Sequence, residues 1–548
     1  MRAKHFLAAV CGAAALIGAA FGQAIEREDL GSNLFAVGTL RAAQGALPPT
    51  LWRGADAEDV RFLLRNAPSR PGSPATADLL RRALLSPGAA PADADEELAG
   101  LKLSILARIG ATDGARSVAS LADVSEDPFA ARALAEADLS DGDLRQACLR
   151  GSDLKSGKDR SFFLKLRVLC YAAADEMEAA DLTLGLLRDD GAVDATDNAL
   201  YATLITGKRP KTPPPPRTPL ELAVARAGGL PVASALGAAS DASVLRALAL
   251  DAELDENARL TAAQRARYAG AISVAEAKRV LQGPQFKIKD ITDADRIAKR
   301  NPDDPRTDSL LYQAITEMTA PELEERKIEL MDLALSLPKT PDRLHLMASV
   351  LAGEIARVRP SREKHQVASS FALALMAAGE GKAAAGWIAA LIPGANGQPA
   401  DGPWKKPQIA ADLTHYLEPL EPELAGALRS IAQTAGANIG APVGPKIIDL
   451  DAAVAGDVER DPASYAAGLV DALVNCVESK SKGVCALTAV VATDAPAELA
   501  AMGDVVRDRA LEAGGFSAER AAFRFEELER ERLALRAIGA AEKDGGRR

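Results

Sequence analysis

The side chains best suited to chemistry in this chain are five cysteines, four histidines and several serines placed three residues before a lysine. A zinc or redox site needs ligands at short fixed spacings, and the chain has neither a Cys-x-x-Cys nor a histidine beside a cysteine pair. Four cysteines instead fall into two local pairs, Cys148 with Cys170 and Cys476 with Cys485. Cys148 lies late in a helical-looking stretch (143–150) and Cys170 late in the next (162–171). Cys476 closes an apolar stretch (469–477), and Cys485 opens another. Bridging these partners would pin two pairs of consecutive helices and leave no cysteine over, although four cysteines allow three connectivities. Unpaired core cysteines are the alternative. Loops of this size imply about 2–3 kcal/mol per bridge in the chain-entropy model.

Other constellations are weak. His345, His365 and His415 are widely separated and match no His-Glu-x-x-His spacing. Ser-x-x-Lys recurs at Ser152/Lys155, Ser336/Lys339, Ser361/Lys364 and Ser479/Lys482, a frequency that chance explains, and its companions Ser-Asp-Asn and Lys-Thr-Gly are missing. Gly-x-Ser-x-Gly elbows, phosphate loops and dinucleotide fingerprints are absent from the sequence. The acidic stretches 289–295 and 301–308 lack the central glycine and terminal glutamate of a calcium loop. No catalytic, cofactor-binding or metal-binding residue is therefore expected. Trp52 and Trp404 stand in loop-like contexts and are the candidate contacts for a partner, although burial against a neighbouring helix is the favoured reading for them.

The elements around these residues read as helices. Hydrophobic residues make up 48% and aromatics only 4%, so alanine- and leucine-rich segments dominate over the β-branched and aromatic residues that strands prefer. Ser73-Pro74 starts a helix, with Leu79, Leu80, Ala83 and Leu84 on one face and Pro87-Gly88 as its stop. Leu98, Leu101, Ile105 and Ile109 repeat at helical spacing up to Gly110. Asp175 is expected to cap a helix over 176–189. A charged helix is expected over 517–538, with Phe525 and Leu528 on its apolar side.

The sharpest break is 208–219, where Pro213 to Pro216 favour extended geometry. It predicts a stiff spacer between an N-terminal helical domain (25–207) and a helical-repeat domain (220–440), with a C-terminal helical region (441–548) beyond. The first 24 residues read as a secretory leader. Arg2 and Lys4 precede an apolar run from Phe6 to Phe21, and small Gly22 and Ala24 precede the expected cut. A retained anchor would need a longer run, and lipidation at Cys11 is disfavoured by bulky Val10. The expected location is the periplasm, which also permits disulfides. The net charge of −11 argues against nucleic-acid binding, and no later segment reads as a membrane span.

The segment 371–392 resembles a tetratricopeptide-like helical hairpin: one helix ends at Gly379-Glu380, Gly381 turns the chain, and Ala385 and Trp387 pack back on the first helix. Stretches 173–187 and 266–281 carry a looser version. The resemblance implies a superhelical array that binds proteins or peptides. Paired short helices that cannot bury their faces alone lead to the same architecture. The sequence thus predicts an all-α fold of stacked helical hairpins, an α-solenoid or right-handed superhelix in two or more domains. It would serve as a noncatalytic, cofactor-free periplasmic scaffold for an envelope protein or peptide. The alternative is an enzyme acting on the cell wall, or an accessory factor of one. Its Glu-Ser signature has only the isolated Glu478-Ser479 to answer to.

Overall fold

The computed structural model describes residues 34–121, 126–391 and 462–527, with 529, 530 and 533. The expected leader, Cys11, Trp404 and His415 lie outside the described residues. Among those described, every regular element is a helix and the fold is all-α.

Four helices come first: α1 (Ala57–Asn66), α2 (Pro74–Leu85), α3 (Glu96–Arg108) and α4 (Thr112–Ala119). Side-chain caps start most of them. Asp56 accepts from the backbone of Glu58, Ser73 from Thr76 and Asp95 from Leu98, which satisfies donors that a helix start leaves open. The expected apolar face of α2 is fully buried, and Gly110 (φ 82°) ends the α3 segment in the left-handed conformation a glycine adopts cheaply.

Six more follow as successive neighbours: α5 (Pro128–Ser140), α6 (Leu144–Asp153), α7 (Ser161–Ala173), α8 (Met177–Asp189), α9 (Ala195–Thr206) and α10 (Pro219–Ala227). They share a core that includes Leu139, Phe163, Leu184, Tyr201 and Val224. The start of α8 differs from expectation. Asp175 takes a left-handed conformation (φ 63°) in the turn that ends α7, and the Glu176 amide bonds back to the Tyr171 carbonyl at 2.8 Å. Asp175 thus belongs to the turn, and no side chain caps α8.

The third group comprises α11 (Ala235–Ala238), α12 (Ala242–Ala249), α13 (Glu256–Tyr268), α14 (Val274–Gln282), α15 (Ile288–Thr292), α16 (Ala294–Arg300), α17 (Pro305–Glu317), α18 (Glu324–Ser336), α19 (Pro341–Ile355), α20 (His365–Ala377) and α21 (Gly381–Leu391). One core runs through them, from Leu245 to Ile388. At its centre Arg343 of α19 holds both carboxylate oxygens of Asp308 on α17 at 2.7–2.9 Å, and Gln264 of α13 donates to the same carboxylate at 2.9 Å. In the α20–α21 hairpin Trp387 is buried with its ring edge-on to Phe371 at 5.1 Å. The left-handed turn residue is Gly379 (φ 80°), and Gly381 already belongs to α21.

The chain then returns to its beginning. Helices α22 (Pro462–Ser479), α23 (Lys482–Thr493) and α24 (Ala500–Ala513) share a core with α1–α4. A final helix, α25 (517–527), sends Phe523 into that core and Phe525 into the core of the third group. The expected partition into 25–207, 220–440 and 441–548 is therefore corrected. The extended stretch before α10 does not separate cores, because Leu220 and Val224 of α10 pack with Leu200 and Tyr201 of α9. Arg217 closes the same junction with ion pairs to Asp194 (2.7 Å) and Glu221 (2.8 Å). The polyproline run shapes a connection whose two ends are held together.

Candidate functional site

Both expected disulfides are present. Cys148–Cys170 joins α6 to α7 with Cα atoms 5.8 Å apart, half-buried, and Cys476–Cys485 joins α22 to α23 at 4.9 Å, fully buried. Trp52 takes the burial role that is the favoured reading for it, and is not available as a surface contact. It is 1% exposed, lies edge-on to Phe35 at 5.1 Å, and presses on Gly483 so closely that a Cβ there would fall 2.3 Å from the ring. A ring in loop-like sequence is buried because the C-terminal helices close over it, and no local pattern announces that.

The other sequence candidates are brought to separate places. Lys155 pairs with Glu126, Lys339 with Asp303 and Lys364 with Glu324, so none of these lysines stands against the serine three residues before it. Ser479 donates to the Asn475 carbonyl at 2.6 Å. In the two acidic stretches Asp295 pairs with Arg326, Asp303 with Lys339 and Asp308 with Arg343, and among the described residues no group of three metal-ligating side chains converges.

Among the described residues, ionisable groups from distant segments converge on a cavity of about 690 Å3. Its walls come from one face of α2 along its length, the α3–α4 turn, the end of α13 with the turn into α14, the start of α19, the end of α20 and one face of α25. Two glycines let the turns approach. Gly110 (φ 82°) faces Ala271, and Gly270 (φ 73°) faces Ala77, and a Cβ on either would stand under 3 Å from the facing methyl group.

Some lining charges are fully engaged. Arg246 pairs with Asp141 (3.0 Å) and Glu276 (2.8 Å) and donates to the Ala271 carbonyl. Glu519 of α25 takes Arg82 of α2 at 2.6 Å. The Ser273 hydroxyl is committed to Glu276 at 2.8 Å within a helix cap.

Others are not. The Arg267 Nε, the Thr112 Oγ1 and the Glu526 Oε2 are shut off from solvent without a hydrogen-bond partner. Burial lowers the Arg267 pKa, the nearby Arg81 adds to this, and Asp78 opposes it. Beside it His345 is pushed down to about 3, by burial first and by the Arg267 charge second, so its imidazole is neutral. That ring lies edge-on to Tyr268 at 5.9 Å, and its Nε2 is 3.4 Å from the Ser349 hydroxyl. Burial raises Tyr268 to about 12, helped by the Glu526 charge. Glu526 itself is raised to about 7 by burial, although Ser73 and the Ala75 amide (2.7 Å) favour its charged form.

The cavity thus offers a cation, a proton-sharing carboxyl and a hydroxyl, each with bonding capacity left over. Arg267, Thr112 and Glu526 carried no sequence signal, because no two of them share a motif. Their nearest markers were Gly110 and Gly270, which show that two turns meet but not what they enclose.

No protein-family model, no curated protein and no solved structure matches this chain.

Proposed function

We propose that the protein is an exported, noncatalytic binding protein of the cell envelope, and that the cavity between α2, α13, α19 and α25 receives a segment of a protein or peptide partner. The observation that carries this reading is the presence of three bonding groups, Arg267, Thr112 and Glu526, unsatisfied on the wall of one cavity. Buried polar atoms are mostly paired, and these three differ from the ten others without a hydrogen-bond partner among the described residues in lining one opening that a ligand can enter. Ser273 is held by Glu276 within a helix cap, and Ser349, which faces the lining residue His345, stands outside the lining. The N-terminal leader pattern and the two disulfides support an oxidising compartment.

A photo-crosslinking residue at Ala378, on the cavity wall, should give one saturable adduct in intact cells, and the same residue at the exposed Leu182 should not. Equal labelling from both positions counts against the reading. One observation favours the enzymatic alternative: a carboxyl raised to about 7 in a cavity is suited to general-acid catalysis. Release of muropeptides from peptidoglycan by the purified protein, lost in Glu526→Gln, would replace the binding function with that one.

A further inference from the structure

We infer that the cavity is a carboxylate-recognition site, which takes a ligand carrying a carboxylate for Arg267 and an N–H donor for Glu526. This rests on the binding function proposed above and specifies its ligand chemistry.

Arg267 decides the first half. Other guanidinium groups on this wall or next to it are consumed: Arg246 by Asp141 and Glu276, Arg82 by Asp78 and Glu519, Arg81 by Asp78. Arg267 has no ion-pair partner among the described residues, and Asp78, the nearest anion to act on it, already serves two other arginines. A guanidinium is a rigid fork of donors that a planar carboxylate fills with two parallel bonds.

Glu526 decides the second half. Its Oε1 accepts from the Ala75 amide at the start of α2, and its Oε2 is left without a donor. Thr112 Oγ1 is also open and can accept or donate. A ligand that brings only an anion would leave Oε2 unsatisfied. One that also brings an N–H would complete both ends. Leu85, Ile272, Leu344 and Met376 supply apolar wall between them. A volume of about 690 Å3 suits a molecule of several residues. The shared chemistry is that of an α-carboxylate with a nearby amide or amine, which belongs either to a peptide C-terminus or to a free amino acid.

The test uses the full mature chain in equilibrium dialysis against three pools read by mass spectrometry: random tripeptides with a free C-terminal acid, the same tripeptides amidated, and the twenty free amino acids. Members of the acid pool should be retained at least tenfold more than their amidated counterparts. Arg267→Met should abolish this retention while leaving the melting temperature of the unliganded protein unchanged or higher, since an unpaired buried charge is removed. Glu526→Gln and Thr112→Val should each weaken retention severalfold, and Arg145→Met, on exposed surface, should not change it. Retention of the amino-acid pool alone assigns the carboxylate to that source. Equal retention of acids and amides, full retention by Arg267→Met, or retention from no pool overturns the inference. In that last case a cavity-specific crosslink would still leave a binding protein standing.

Discussion

The helices from α5 to α10 and the bundle that α1–α4 form with α22–α24 are built from similar alanine- and leucine-rich sequence, yet they are assembled by different rules. In the first region each helix packs on its chain neighbours, and its disulfide joins consecutive helices near the surface. In the second, Trp52 meets Gly483, Phe62 meets Gly468, and the Gly483 amide bonds the Leu51 carbonyl at 2.6 Å, across more than 400 residues of chain. Local pairs close cheaply and early, whereas long-range closure depends on contacts that form only when both ends are in place. The candidate site lies along the second kind of seam, since α25 reaches it from the C-terminal end of the described chain.

Three measurements sharpen or break this contrast. The largest effect is expected from Trp52→Ala, which empties a site buried on all sides at a cost of about 3–5 kcal/mol. If closure is one unit, limited proteolysis of this variant will expose the helices of both ends together and leave α5–α10 protected. Cleavage confined to the N-terminal helices would break the idea.

The disulfides give the next effect. Replacing both cysteines of one pair by serine should cost about 3 kcal/mol for Cys148–Cys170, with its 22-residue separation, and about 2–3 kcal/mol for Cys476–Cys485, separated by nine. The distinguishing readout is hydrogen exchange. Loss of the first bridge should loosen α6 and α7 alone, and loss of the second should loosen α1 as well as α22 and α23.

The smallest effect concerns pH. Glu526 is raised from 4.5 to about 7, so between these values the folded protein holds a proton that the unfolded chain releases. The stability contribution is full below the unfolded value and is lost as pH rises towards 7, by at most about 3 kcal/mol. Arg530 favours the charged form and Glu527 opposes it, and both are partly or largely solvent-facing, which trims the effect. Lys102 supplies the opposite slope. Burial lowers it to about 7, so its contribution grows as pH rises from about 7 towards 10.5. Melting curves across pH 4–10 should show the acid-side slope vanish in Glu526→Gln and the alkaline one in Lys102→Met. A slope unchanged in Glu526→Gln would show that α25 is not docked through that carboxyl.

Much of this architecture is legible in the residues themselves. The start of α2 at Ser73-Pro74, its buried face, the stop at Gly110 and both cysteine pairings follow from spacing, because each is decided by residues within about 25 positions of one another. The Asp175 cap fails because aspartate tolerates the left-handed backbone conformation, and the turn that ends α7 uses it there.

The sequence alone determined that the chain is helical, where many helices begin and end, and which cysteines are local partners. Only tertiary structure decided that the two ends of the chain share one core, that Trp52 is interior, and that Arg267, Thr112 and Glu526 look into one cavity. The physical reason is range. Backbone propensity, capping and amphipathic period act over one or two turns, but an orphaned charge is defined by what fails to arrive beside it from every other segment.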